Sequence, residues 1–99
     1  MANEHHNMAL TDIGQRLSKA VQFHQAGRIQ EALEIYERIL DIDPSHSDAL
    51  HLLGFASHQL NRNDKAMDLI RRAIQICPKN ASYHNSLGMV LRDQGSPKG

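Results

Sequence analysis

The sequence predicts an all-α fold: an α-solenoid of about two and a half helix–turn–helix units, five helices in all, wound as a right-handed superhelical stack. Three observations carry this. A 34-residue step lays the chain on itself, placing Ala66 over Ala32, Arg72 over Arg38, Ile76 over Ile42 and Pro78 over Pro44. The next step places Leu87 over Leu53 and Gly88 over Gly54, and a fixed period of this size marks supersecondary units stacked in series. Within each unit, apolar residues recur three and four apart, the helical spacing. Finally, 40% of the residues are apolar but only 4% are aromatic, with no Trp. The core has to be aliphatic and Ala-rich, which suits close helix packing.

Residues 1–10 are polar, carry no period and are expected to form a disordered tail ahead of a repeat domain at 11–95. Thr11 or Asp12 can cap the first helix by accepting from the free amides of its first turn. Ile13, Leu17, Ala20, Val21 and Phe23-His24 follow at helical spacing. Gly27 ends that helix, because glycine tolerates the left-handed conformation of a helix stop. The second helix runs from about Ile29 to Ile42, with Ile29, Ala32, Leu33, Tyr36, Ile39 and Leu40 on one stripe. Glu31, Glu34, Glu37, Arg38 and Asp41 face water, and Asp43-Pro44 stops the helix, since proline disfavours helical geometry in the residue before it.

Ser45 or Ser47 caps the third helix, which continues to about Leu60, and Asn61-Arg62-Asn63 makes the turn. Asp64 to Cys77 is the fourth helix, with Ala66, Leu69, Ile70, Ala73 and Ile74 inward and Pro78 at its end. Ala81 to Gln94 is the fifth, with Tyr83, Leu87, Val90 and Leu91 apolar and Gly95 as a turn residue. The units are residues 13–46, 47–80 and a partial 81–95, followed by a tail at 96–99. By the period, a sixth helix is expected beyond Gly99. The sequence therefore reads as cut short of its natural end, or else a second copy of the chain covers the bare face of helix five through Leu87, Val90 and Leu91.

Eleven basic and eleven acidic residues give zero formal charge, and only Arg71-Arg72 are adjacent among the basic residues. That argues against a nucleic-acid surface and against an anionic membrane surface. The single cysteine, Cys77, excludes an internal disulfide and a cysteine zinc cage. No apolar run approaches the roughly 18 residues of a membrane span, and the N-terminus has no secretory pattern, so a cytoplasmic location is expected. Seven histidines raise a metal reading. His51 and His58 share a face but lie two turns apart, about 10 Å, too far to share one ion at about 2 Å. His24 and His58 occupy equivalent positions about one helix diameter apart. No metal and no cofactor is expected. Ser57-His58 are neighbours on a helix and point about 100° apart. Cys77 reads as a small packing residue, and this chain alone is not expected to be an enzyme.

Leu50, Leu53, Gly54, Ser57, Ala66, Ile70, Ala73 and Pro78 of the middle unit resemble the tetratricopeptide repeat, a helix–turn–helix of 34 residues. Leu50 stands where that family usually has Trp, and Ser57 where it has Tyr. The first unit aligns through Arg16, Lys19, Ala20, Phe23, Ala32, Tyr36, Ile39 and Pro44, and the third through His84, Leu87, Gly88 and Leu91. Arg16 and Lys19 are polar where the pattern is apolar, as suits an opening helix with one side in water. The repeat-packing residues are then Ala20, Ala32, Pro44, Leu53, Gly54, Ala66, Ala73, Pro78, Leu87 and Gly88. Gly54 should face Ala66 across the helix pair, where a larger side chain would push the backbones apart.

The resemblance implies a protein-interaction scaffold whose first helices line a concave groove for a partner peptide or helix. Groove residues would be Leu17, Val21, His24 and Gln25 from the first unit, His51, Phe55, His58 and Gln59 from the second, and Asn85, Met89 and Arg92 from the third. Phe55 sits off the packing stripe and reads either as an exposed anchor or as a filler between units. Some family members clamp a C-terminal carboxylate through Lys and Asn. Here Leu17, Val21, Leu52, Ser82 and Ser86 occupy those places, so an apolar peptide or helix is the better-suited ligand. The competing readings are the N-terminal, substrate-presenting arm of a larger enzyme such as a protein O-glycosyltransferase, and a homo-oligomer formed through helix 81–94.

Overall fold

The computed structural model describes residues 2–95, with side chains placed from Asp12 to Gln94. Its five helices are α1 (Ala2–Gln25), α2 (Ile29–Ile42), α3 (Ser47–Gln59), α4 (Asn63–Ile76) and α5 (Ala81–Gly95). Among the described residues there is no strand. α2 and α4 start at Ile29 and Asn63 and end at Ile42 and Ile76, 34 residues apart at both ends. α1 and α3 end at Gln25 and Gln59, and α3 and α5 begin at Ser47 and Ala81, again 34 apart.

The turns repeat with the helices. Gly27 has φ of +83° and Asn61 has φ of +65°, the left-handed conformation that glycine adopts freely and asparagine tolerates. Behind the first, Arg28 N–H donates to Phe23 O at 2.8 Å and Gly27 N–H to His24 O at 3.1 Å. Behind the second, Arg62 N–H donates to Ser57 O and Asn61 N–H to His58 O, both at 2.9 Å. Both are Schellman stops, which satisfy the last carbonyls of a helix. Arg28 also covers the Phe23 ring at 4.7 Å.

The helix starts differ from the sequence expectation in two places. α3 is capped by His46, whose Nδ1 accepts from Ala49 N–H at 3.1 Å. Neither serine does this: Ser45 N–H donates to Asp43 Oδ1 at 3.2 Å, and Ser47 Oγ lies 3.5 Å from Cys77 Sγ. At the equivalent place before α5, Asn80 Oδ1 accepts from Tyr83 N–H at 3.2 Å. The second difference is α1, which is helical from Ala2 where a disordered tail was expected over 1–10. That stretch contains no Pro or Gly and includes Ala, Glu, Met and Leu, all good helix formers. Asp12 is interior to the helix and pairs with Arg16 one turn on. α4 begins one residue before Asp64 and ends one before Cys77, and α5 takes in Gly95. Residues 96–99 lie outside the described residues.

Each helix packs mainly on the next in sequence, with α3 also touching α5, and the molecule measures 58 × 29 × 18 Å. The main core joins Ala20, Ala32, Tyr36, Leu50, Leu53, Ala56, Ala73 and Tyr83, all nearly or fully buried. Ile13, Ile39 and Ala49 form a second cluster, and Ala66, Ile70 and Val90 a third. Leu50 fills the expected Trp position, and buried Ser57 satisfies its hydroxyl by donating to Leu53 O at 2.8 Å. Gly54 meets α4 as expected: a Cβ there would lie 2.7 Å from Ile70 Cγ1 and 3.1 Å from Ala66 O. Gly88, its equivalent, has nothing within 4 Å of that point. Ala20, Ala32, Ala66 and Ala73 are buried, Leu87 is half-buried against Ala66, Ile70 and Val90, and Pro44 and Pro78 are exposed at helix ends.

The expected apolar face of helix five does not form as one patch. Val90 is fully buried on Ala66 and Ile70, Leu87 packs beside it, and only Leu91 is open, at 44% exposure. No helix among the described residues is long and apolar enough to cross a membrane.

Candidate functional site

α1, α3 and α5 share one face, and most of the polar bonds that join them recur at one spacing. Four link residue i to residue i+35: His24 to Gln59, His51 to Ser86, His58 to Asp93 and Asp48 to Tyr83; Tyr83 also reaches Ser47, 36 residues away. One repeat length carries a residue to its equivalent, and one residue more turns it toward the neighbouring helix. His24–Gln59 and His58–Asp93 are thus the same bond in successive joints.

At the α1–α3 joint, Gln59 Oε1 can only accept, so His24 Nε2–H donates to it. The neutral ring then accepts at Nδ1, from the Tyr36 hydroxyl at 3.0 Å. His24 also lies against Phe55, with ring centroids 5.5 Å apart. Burial pushes the Tyr36 phenol up to about 12. These groups, with Val21, Gln25 and Leu52, line a pocket of about 310 Å³, the size at which small-ligand and side-chain sites begin. Val21, Leu52 and Phe55 make its apolar lining, and the Gln25 and Gln59 amides, the His24 ring and the Tyr36 hydroxyl its polar groups. Gln59 accepts from His24 through its oxygen, which leaves the amide NH2 as its donor group.

The α3–α5 joint is more polar. His51 Nε2 and Ser86 Oγ share a hydrogen bond at 2.7 Å, and the His51 ring tilts over Tyr83 with centroids 4.7 Å apart. Tyr83 donates to Asp48, with Ser47 Oγ at 3.2 Å, and burial followed by the Asp48 contact raises its phenol to about 12. Burial lowers the His51 pKa below the ordinary histidine value, with Asp48 acting the other way. His58 meets Asn63 Oδ1 at 2.9 Å and Asp93 Oδ2 at 2.8 Å.

The structure divides the residues that the sequence nominated. Val21, His24, Gln25, Phe55 and Gln59 come together in the pocket. Leu17 does not: it packs into the core beside Ile13, Ile39 and Ala49. His51 and His58 are half-buried and engaged by α5. Asn85 and Arg92 are exposed on α5 and Met89 is half-buried, all outside the pocket. Sequence reasoning missed Tyr36 and Leu52 as pocket walls, and Ser86 and Asp93 as bond partners. Pairing polar residues at 35 rather than 34 would have found the last two.

On the opposite side, between α2 and α4, a second hollow of about 420 Å³ is lined by Glu37, Leu40, Asp41, Pro44, Leu53, Leu69 and Arg72. Lys65 spans α2 and α4, reaching Glu37 at 3.5 Å. The groups here are ordinary exposed charges over a leucine floor.

Helical hairpins that bond only to their neighbours, with a pocket at the joint of two first helices, define a helical-repeat scaffold. A model of the tetratricopeptide repeat family matches residues 23–89, and the chain belongs to that family. Repeats of this family mediate protein–protein interaction. Human Tetratricopeptide repeat protein 7B is 36% identical over 70 residues, which is 71% of this chain and 8% of that protein. The probable UDP-N-acetylglucosamine–peptide N-acetylglucosaminyltransferase SPINDLY of Hordeum vulgare is 33% identical over 68 residues, 69% of this chain and 7% of that protein. Among solved structures, a mutant O-GlcNAc transferase from Thermobaculum terrenum superposes with a TM-score of 0.86 at 36% identity. That match covers 88% of this chain and 17% of the transferase. The chain therefore spans less than a fifth of each of these proteins.

Proposed function

We propose that the shared face of α1, α3 and α5 is a groove that binds a peptide or helix of a protein partner, with one apolar side chain of that partner seated in the α1–α3 pocket. The observation that supports this most is the pocket itself, about 310 Å³ and lined by Phe55, Leu52 and the Gln59 amide. An apolar floor with a few placed polar groups is what fixes a ligand's orientation. Phe55 is half-exposed and held by His24, so it offers area to a partner without having to be ordered first. A random peptide library selected on the protein supplies the test. Selected peptides should lose about tenfold or more in affinity, roughly 1.4 kcal/mol, against Phe55→Ala. Equal affinity for a folded Phe55→Ala protein overturns the reading.

A second reading is favoured by the two glycosyltransferase matches at 36% and 33% identity: the repeats present protein substrates as one arm of a larger enzyme of that kind. Under it, the gene carries a transferase domain, and deleting the repeats from the whole protein lowers glycosylation of protein substrates while sparing short peptides. A gene with no such domain removes it.

A further inference from the structure

The two joints along the shared face differ in kind. α1 and α3 are joined by a bond between His24 and a neutral amide, Gln59, backed by Phe55. α3 and α5 are joined by carboxylate and imidazole contacts: Asp48 with Tyr83, His51 with Ser86, and His58 with Asp93. We propose that the α3–α5 joint is proton-sensitive, holding the first half of α5 on α3 while His51 is neutral and loosening as His51 takes up a proton in mildly acidic solution.

The geometry supplies the reason. His51 is half-buried, with its ring over Tyr83 and its Nε2 on Ser86. A charge placed there loses water and gains only partial compensation. Burial lowers the His51 pKa, and Asp48 on the same helix opposes this without cancelling it. The sign follows. A group whose folded value lies below its unfolded value stabilises the fold above the unfolded value, about 6.5 for histidine, and that stability is lost as pH falls through the lowered one.

The surrounding charges do not reverse it. On α5, Tyr83 is bonded to Asp48 and Arg92 is exposed. At the end of α4, Cys77 lies against Ser47. At the start of α4, Asp64 accepts from Gln94 at 3.3 Å. On α1, Asp12 and Arg16 are paired with each other and Lys19 is exposed.

His58 meets Asp93 Oδ2 on α5 and Asn63 Oδ1 on α4, so it holds the second half of α5 while His51 holds the first. α5 is one end of the face shared with α1 and α3, so acidification would alter that end. The effect needs no ligand, and its test is independent of peptide binding.

The test is amide hydrogen exchange on the whole chain between about pH 7.5 and about pH 5.5, either side of the ordinary histidine value, corrected for intrinsic exchange. Amides of residues 81–87 should lose protection several-fold relative to those of α2. His51→Gln keeps a hydrogen-bonding amide toward Ser86 but cannot titrate, so its α5 protection should be flat over the same range. A wild-type α5 whose protection does not change overturns the proposal, as does a His51→Gln protein that keeps the wild-type dependence. Should His51→Gln fail to fold, the wild-type His51 ring resonance decides: it must titrate in step with α5 protection, and a mismatch is equally fatal.

Discussion

Gly54 and Gly88 are one repeat apart and meet opposite surroundings. Beside Gly54, α3 and α4 are so close that a methyl group would sit 2.7 Å from Ile70 Cγ1 and 3.1 Å from the Ala66 carbonyl. The side chain could yield, but the carbonyl belongs to α4 itself. Alanine gains about 1 kcal/mol over glycine inside a helix, while forcing atoms into a packed contact costs about 1–3 kcal/mol. Gly54→Ala is therefore expected to be destabilising by up to about 2 kcal/mol, and Gly54→Leu or Ala66→Leu more so. Gly88 has open space, so Gly88→Ala should stabilise by about 1 kcal/mol. Urea unfolding midpoints of the two alanine variants should move in opposite directions, and a shift of the same sign would show that the Gly54 contact is not tight. This contact was legible in the sequence because a glycine inside a helix is costly and needs a reason. Leu50 and Ser57 were legible as positions but not in their consequences. Leu50 is simply buried, whereas Ser57 stays dry by bonding Leu53 O, which no periodicity reveals.

The helices themselves follow from patterns that a sequence displays well. Apolar spacing, Gly27, Asn61 and the two prolines placed all five, and the observed ends of α2 are the expected ones. Starts were harder, because several side chains compete for one set of free amides. His46 wins before α3 although serines stand on either side, since Ser47 is drawn to Cys77 and Tyr83, while the backbone of Ser45 is held by Asp43. That choice is made by tertiary contacts and is invisible locally. It makes a prediction for the element. His46→Ala removes the acceptor for Ala49 N–H and should cost about 0.5–2 kcal/mol, read as a lower urea midpoint with an unchanged slope. His46→Asp or His46→Ser supplies a stronger cap and should restore or exceed wild-type stability. Equal midpoints for the alanine and serine variants would show that the cap contributes nothing. The candidate site was legible to a similar degree. The sequence offered the faces, so Val21, His24, Gln25, Phe55 and Gln59 were nominated together, and all five line the pocket. Tyr36 was assigned to the core by its stripe, and its hydroxyl reaches the pocket only because α2 lies behind the α1–α3 joint.

At the scale of the molecule, the stack is a series of nearest-neighbour contacts with no element reaching across it, which is the setting in which parts can open separately. The two tyrosines report on different parts. Tyr36 lies in the first hairpin with its hydroxyl on His24, and Tyr83 lies at the α3–α5 joint with its hydroxyl on Asp48. Both phenols are raised to about 12. A folded value above the unfolded one stabilises the fold below about pH 10, the ordinary tyrosine value, and that contribution is lost as pH climbs from there to about 12. Alkaline titration followed by phenolate absorbance should therefore show ionisation delayed beyond the free amino acid and accompanied by loss of helix. Among the described residues, α5 is held by α4 and by the polar α3 joint, whereas Tyr36 is enclosed by α1, α2 and α3. Tyr83 is therefore expected to ionise at lower pH than Tyr36. Tyr36→Phe leaves the earlier step and Tyr83→Phe the later one, so the two variants assign the order directly. Coincident steps would mean that the stack opens as one cooperative unit, and the reverse order would mean that the first hairpin, not the α5 joint, is its weakest part.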